Sequence, residues 1–117
     1  ALELLQEFWF WSGETDALPA GSYILGPIYT VPAGKRVVVE FMHASSDVSG
    51  VVQGVMLLDY DGTIYYKAIQ TWFDCQAMLL LRYPFVAGHQ IFLAFEQRDD
   101  VTARRFRVVL HGYEEPR

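Results

Sequence analysis

A turn written three times constrains this chain more than any other feature. Leu18-Pro19-Ala20-Gly21 leads into Ser22-Tyr23, Val31-Pro32-Ala33-Gly34 into Lys35-Arg36, and a shortened copy, Val86-Ala87-Gly88, into His89-Gln90. Proline fixes one φ angle and glycine supplies a conformation that other residues avoid, so each copy reverses the chain at little cost. A stretch rich in β-branched and aromatic residues follows every copy, and such residues suit a pleated surface. Turns and strands in this rhythm describe an antiparallel all-β domain.

The strands can be read between the turns. Residues 2–11 read as a strand with Leu2, Leu4, Phe8 and Phe10 on one face and Glu3, Leu5, Glu7 and Trp9 on the other. A helix would instead gather Leu4, Leu5, Phe8 and Trp11 on one stripe, but the run Phe8-Trp9-Phe10-Trp11 crowds a helix. A polar loop over residues 12–21 follows. Residues 23–30 are interrupted by Gly26-Pro27, which marks an edge or a bulge. Residues 36–44 alternate Val37, Val39, Phe41 and His43 against Arg36, Val38, Glu40 and Met42. Residues 51–60 turn at Asp61-Gly62, a strong hairpin signal, into residues 63–73, with Ile64, Tyr66, Ala68 and Trp72 sharing a face. Residues 75–83 are nearly all apolar, which predicts a strand buried on both faces and ended by Pro84. Residues 90–97 point Ile91, Leu93 and Phe95 one way. In residues 103–113, Phe106, Val108 and Leu110 oppose Arg105 and Arg107, and 114–117 read as a frayed polar tail.

About eight strands separated by turn signals predict a single-domain antiparallel β-sandwich of jelly-roll type over residues 1–117. An immunoglobulin-like sandwich is the alternative, without its Cys-Trp-Cys framework. The apolar fraction of 52% supplies a core, which excludes a disordered body. Three Trp, seven Tyr and eight Phe exceed what one small core hides, so some rings are expected to face a ligand or a neighbouring subunit. A net charge of −5 argues against nucleic acid and anionic membranes as partners. The longest purely apolar run, residues 77–81, falls far short of the roughly 20 residues of a membrane-spanning helix. Cys75 is the single cysteine, so it forms no internal disulfide; without a nearby cation it reads as a small buried hydrophobe. A first residue of Ala is what removal of an initiator Met or of a signal peptide would leave, and an extracellular or virion-associated place is favoured over the cytoplasm.

No catalytic or cofactor-binding constellation emerges. Asp59-Tyr60-Asp61-Gly62-Thr63 begins like a calcium loop but lacks the further carboxylates calcium needs, so a hairpin turn is expected. Asp99-Asp100, beside Arg98 and Arg104, reads as a solvated turn. His43, His89 and His111 lack metal-ligand spacing, and no metal is implied. His43-Ala44-Ser45-Ser46-Asp47 holds the letters of a hydrolase triad without a nucleophile elbow. Arg104, Arg105 and Arg107 are divided between two faces, which breaks up the basic surface that nucleic acid would need.

The aromatics are the strongest functional signal. Leu4, Phe8, Trp9, Phe10, Trp11, Tyr65 and Trp72 are expected to form a subunit interface, with residues 2–11 able to reach a neighbour and add to its sheet. Trp9, Trp11 and Trp72 could alternatively stack on sugars, although the chain has no Asn to flank them.

Val31-Pro32-Ala33-Gly34-Lys35-Arg36-Val37-Val38-Val39-Glu40-Phe41 resembles a group of small bacterial and phage-borne β-sandwich proteins carrying a V-P-A-G-K-R motif. Tyr83-Pro84-Phe85-Val86-Ala87-Gly88 and Val109-Leu110-His111-Gly112-Tyr113 match the group's later aromatic strand and closing G-Y. The likeness covers residues 31–113 and implies the fold. The group has no assigned activity, so it transfers no catalytic residue. The expected role is therefore a non-enzymatic structural module that forms a homo-oligomer or packs on a larger particle, such as a virion decoration protein or a secreted assembly subunit. The alternative is a carbohydrate-binding module.

Overall fold

In the computed structural model, which describes residues 6–117, every regular element is a strand. The strands are β1 (Glu7–Glu14), β2 (Gly21–Thr30), β3 (Lys35–Ser46), β4 (Gln53–Tyr60), β5 (Tyr65–Phe73), β6 (Gln76–Val86), β7 (Gln90–Gln97) and β8 (Phe106–Pro116). β1 pairs with β8, β2 with β7, β3 with β6 and β4 with β5, all antiparallel. The first four strands thus run out along one ribbon and the last four run back, with residues 61–64 at its tip. Ladders between β3 and β8 and between β4 and β7 roll this ribbon up. Two four-stranded sheets result, ordered β1-β8-β3-β6 and β2-β7-β4-β5. This is the jelly-roll sandwich that the strand count predicts.

The inner faces of both sheets make one core. Val37, Val39, Met42 and Ala44 of β3, Phe106, Val108 and Leu110 of β8, and Trp9 of β1 meet Val55 and Leu57 of β4 and Ile91, Leu93 and Phe95 of β7. Two bulges decide which residues take part. At Glu40 the β3 register shifts, so Phe41 and His43 point out although Val37 and Val39 point in. The β4–β5 ladder shifts between Leu57 and Leu58, leaving Ala68 unpaired and putting Trp72 on the face opposite Ala68. A bulge inserts one residue and so inverts the alternation beyond it. For this reason the faces predicted for residues 36–44 and 63–73 hold for only part of each strand.

The second and third copies of the repeated turn are twins in space as well as sequence. Lys35 N–H donates to the Pro32 carbonyl and His89 N–H to the Val86 carbonyl, each closing a four-residue turn. Gly34 (φ 74°) and Gly88 (φ 84°) take the third position, where a type II turn demands positive φ. Val31 N–H donates to His89 O and Gly88 N–H to Val31 O, both at 2.9 Å, so the two turns brace each other. The first copy differs: its Gly21 opens β2 with a φ of 152°.

A buried ion pair organises the other end of the sandwich. Arg104 is 2% exposed, and its Nε donates to Asp99 Oδ2 at 3.1 Å. Its Nη1 donates to the Val48 carbonyl, and its backbone pairs with Leu18 in both directions. Asp99 Oδ1 accepts from the backbone N–H groups of Val101 and Thr102. Gln97 donates to the Leu18 and Thr102 carbonyls. The Arg104 hydrogen bond, then those backbone groups, holds the Asp99 carboxyl below the usual range. The turn expected to be solvated is instead a closed polar network, because three loops must satisfy their backbone groups at one place.

Other expectations are corrected by position in the sheets. Residues 75–83 are not buried on both faces: β6 is an edge strand whose outward side chains meet solvent, and Pro84 lies within it, where no outer neighbour needs its missing N–H. Residues 114–117 do not fray. β8 runs to Pro116, with Glu114 accepting from the Tyr29 hydroxyl and Glu115 paired with Arg36. Cys75 is exposed, in the tight connection between β5 and β6. The edge position predicted for Gly26-Pro27 is observed, with a register shift after Leu25.

Gly88→Ala should cost about 1 kcal/mol in urea unfolding, since a Cβ there meets nothing and the penalty is that of a left-handed backbone alone. Arg104→Ala should lower the urea midpoint by more than Gly88→Ala does, because it removes the donors that reach Asp99 and the Val48 carbonyl; an unchanged midpoint would show that the loops close without it.

Candidate functional site

The outer face of the β1-β8-β3-β6 sheet is apolar where a solvent-facing antiparallel sheet should be polar. Register sets Phe10, His111, Phe41 and Leu80 in one row across all four strands. Phe8 and Tyr113 flank that row on one side, and Val109, His43 and Met78 on the other. His111 stacks on Phe41 at 4.4 Å and packs against Phe8 at 5.9 Å. Leu80 is 85% exposed and Phe8 75%. At sheet spacings the face covers roughly 400 Å², within the range of the largest apolar patch on a typical monomer, which is often functional. Its ends are charged but paired: Glu14 with Arg107 at 3.2 Å, and Glu115 with Arg36. Hydrogen bonds from Gln6 and then Arg36 hold the Glu115 carboxyl below its ordinary value.

The opposite outer face, on the β2-β7-β4-β5 sheet, carries a trough of about 350 Å³. Its rows are Ser22, Glu96, Gly54 and Trp72, then Ile24, Ala94, Met56 and Gln70. The central strands contribute Gly54 and Ala94 to the floor, while edge residues Ile24 and Trp72 stand up as walls. Arg98 lies 4.2 Å from the Trp72 ring centroid and pairs with Glu96 at 3.1 Å. Beyond Met56, Tyr65 stacks on Tyr60 at 4.3 Å and meets Phe92 edge-on.

A third cluster joins the two sheets near the ribbon tip. Buried Asp59 accepts from the Tyr83 hydroxyl at 2.8 Å and lies 2.8 Å from His89 Nδ1. Burial, then the Asp59 hydrogen bond and charge, pushes the Tyr83 phenol up to about 12. Burial, followed by the hydrogen bond to Glu114, does the same to Tyr29. Asp59 and His89 have the arrangement of half a catalytic relay, but among the described residues no serine, threonine or cysteine is hydrogen-bonded to His89. The cluster ties β6 and the third turn to β4.

No family model matches the chain, and no curated protein is significantly similar to it.

The aromatics expected to share one interface are split among three places. Phe8 and Phe10 lie on the first outer face, and Tyr65 and Trp72 on the second. Trp9 is only 7% exposed, packed in the core against Tyr29, and Trp11 leans over Gly13 against the same core. The expectation that these two tryptophans face outward is therefore corrected. Leu4 lies outside the described residues. Nor does the first strand reach outward as an arm: Glu7–Glu14 pairs in register with the chain's own β8.

The other candidates resolve as structural groups. Asp61 Oδ1 accepts from the Thr63 and Ile64 N–H groups at 2.8 Å, as a hairpin turn requires, and this lowers its pKa. Ser46 and Asp47 bond backbone groups at Val48 and Arg105. No grouping of three His, Cys, Asp or Glu that could hold a metal occurs among the described residues. Alternation along β8 already turned His111 outward, but Phe41, Met78 and Leu80 were not legible from the sequence as members of the first face. The bulge at Glu40 and the edge position of β6 hid them.

A tyrosine whose folded pKa is raised contributes stability that is complete below its unfolded pKa of about 10. That contribution fades as pH rises towards the folded value of about 12. In an alkaline absorbance titration, Tyr29 and Tyr83 should ionise last among the seven tyrosines. Tyr83→Phe should remove one late-titrating group and flatten the stability loss between about pH 10 and 12.

Proposed function

We propose that this protein is a non-catalytic structural module that self-associates through the outer face of its β1-β8-β3-β6 sheet. The observation that carries this reading is the row Phe10, His111, Phe41 and Leu80, which crosses all four strands in register. A second copy of the same chain is the occupant that fits best. The row Phe10, His111, Phe41 and Leu80 carries no acid, Lys or Arg, the Arg82 guanidinium beside it donates to the Tyr113 hydroxyl, and the Glu14–Arg107 and Glu115–Arg36 pairs at the ends are made within the chain. Such a surface has nothing to offer a phosphate backbone or an anionic bilayer, and a chain of net charge −5 is repelled by both. Two such faces can stack at about 10 Å with their side chains interleaved, as the two sheets of a sandwich do. The flanking pairs would then form the polar rim of the interface. A virion decoration protein or a secreted assembly subunit would use a small β module in this way, and an extracellular or virion-associated place is consistent with that role.

The polar clusters support a non-enzymatic reading for a chemical reason. The carboxylates of Asp59, Asp99 and Glu115 are each occupied by hydrogen bonds within the fold.

Sedimentation velocity should find the wild type self-associating. Phe10→Asp and Leu80→Asp should each weaken association by about 10- to 100-fold, with unchanged circular dichroism. A wild type that stays monomeric at high concentration, or variants that assemble normally, would overturn the proposal. Point substitutions are the right tool, since removing residues 1–11 would also take Trp9 from the core.

A further inference from the structure

Self-association through one sheet leaves the trough on the other sheet unused, and its chemistry is different. We propose that this trough is a saccharide-binding site, with Trp72 as the stacking platform and Glu96, Gln70 and Ser22 meeting sugar hydroxyls. A sugar ring is amphipathic: its C–H face packs on an aromatic plane while its rim both donates and accepts hydrogen bonds. The trough offers both kinds of surface at the right scale. Its volume of about 350 Å³ falls near the lower end of small-ligand sites.

The platform is built before any ligand arrives. Gly54 lies directly across the β4–β5 ladder from Trp72, and a Cβ on Gly54 would come within 2.4 Å of the indole. Only a missing side chain lets the ring lean over β4. Arg98 takes one face of the indole at 4.2 Å and binds Glu96 Oε1 at 3.1 Å, so one guanidinium fixes both the ring and the carboxylate. Such fixing lowers the ordering cost of binding. Trp72 remains 42% exposed and lines the trough, whereas Arg98 does not.

The polar atoms are suitably divided. Glu96 bonds Arg98 through Oε1, which leaves Oε2 to accept. Gln70 accepts from Lys67 through Oε1 at 3.3 Å, which leaves its NH₂ to donate. A carboxylate acceptor and an amide donor flanking an aromatic wall suit adjacent hydroxyls. Other ligand classes fit less well. An acyl chain gains nothing from a carboxylate, an anion is repelled by Glu96, and an added peptide strand needs a sheet edge rather than a face.

The test follows the Trp72 indole and Gln70 amide signals by nitrogen-edited NMR while cellobiose, lactose, maltose and chitobiose are titrated separately to tens of millimolar. At least one disaccharide should shift both signals saturably. Trp72→Ala should weaken that binding by about tenfold or more, and Phe10→Asp, on the opposite sheet, should leave it unchanged. Ala94→Phe fills the trough floor from the solvent side, so it should abolish binding even if Trp72→Ala proves too unstable to measure. Four titrations that leave the indole unmoved, or saturable binding that survives Ala94→Phe, would overturn the proposal. Sedimentation of the same samples keeps this outcome separate from that for self-association.

Discussion

The salt bridge between Arg104 and Asp99 sits where the rolled ribbon has to close. A jelly roll sends nearly every connection from one sheet to the other, so its ends collect loops whose backbone groups face inward. At this end, the loops before β2, before β4 and before β8 all converge. Arg104 reaches the first through its backbone and the second through its side chain, and Asp99 caps the third. A guanidinium suits the task because its five donors fan out in one plane, matching a carboxylate and carbonyls together. Gln97 and Gln53 extend the network, bonding Leu18, Thr102 and Arg98. Without this closure the sheets would still have apolar faces to stack, but the strands would have no fixed ends.

Strand number, hairpins and much of the core were legible in the sequence because turn chemistry and two-residue alternation are local signals. Ile91, Leu93 and Phe95 face inward as alternation requires, as do Phe106, Val108 and Leu110. Alternation fails where a single inserted residue inverts it. At Glu40, Phe41 and His43 pass from the core side to the solvent side, and near Ala68 the same event delivers Trp72 to the trough. No local signature marks either bulge. The glycine opposite the first is informative only once the ladder is known: a Cβ on Gly112 would lie 1.8 Å from the Val38 carbonyl oxygen.

Burial departs from the local pattern where strand position decides it. Ala77-Met78-Leu79-Leu80-Leu81 has the composition of a central strand, yet β6 occupies an edge, so Met78 and Leu80 meet solvent while Leu79 and Leu81 pack inward. Trp9 shows the converse. Its neighbours Phe8 and Phe10 are equally aromatic, and only pairing with Gly112 of β8 tells which ring enters the core. The two outer faces consequently differ in kind. One is broad, apolar and edged by paired charges; the other is concave, with one indole and a few hydrogen-bonding groups.

The placement of two prolines bears on how far sheets of this chain can extend. Pro84 lies in β6 and Pro27 in β2, so each sheet has one edge strand bearing a residue that cannot donate to a new neighbour. The other edges, β1 and β5, carry no proline. Continuous extension of one sheet uses both of its edges, and here each sheet has one proline-free edge and one that bears a proline. Growth within a single sheet is thereby disfavoured at its proline-bearing edge, while β1 and β5 remain the edges at which another strand can pair. The fold keeps its long, apolar strands while each sheet carries a proline at one of its two open edges.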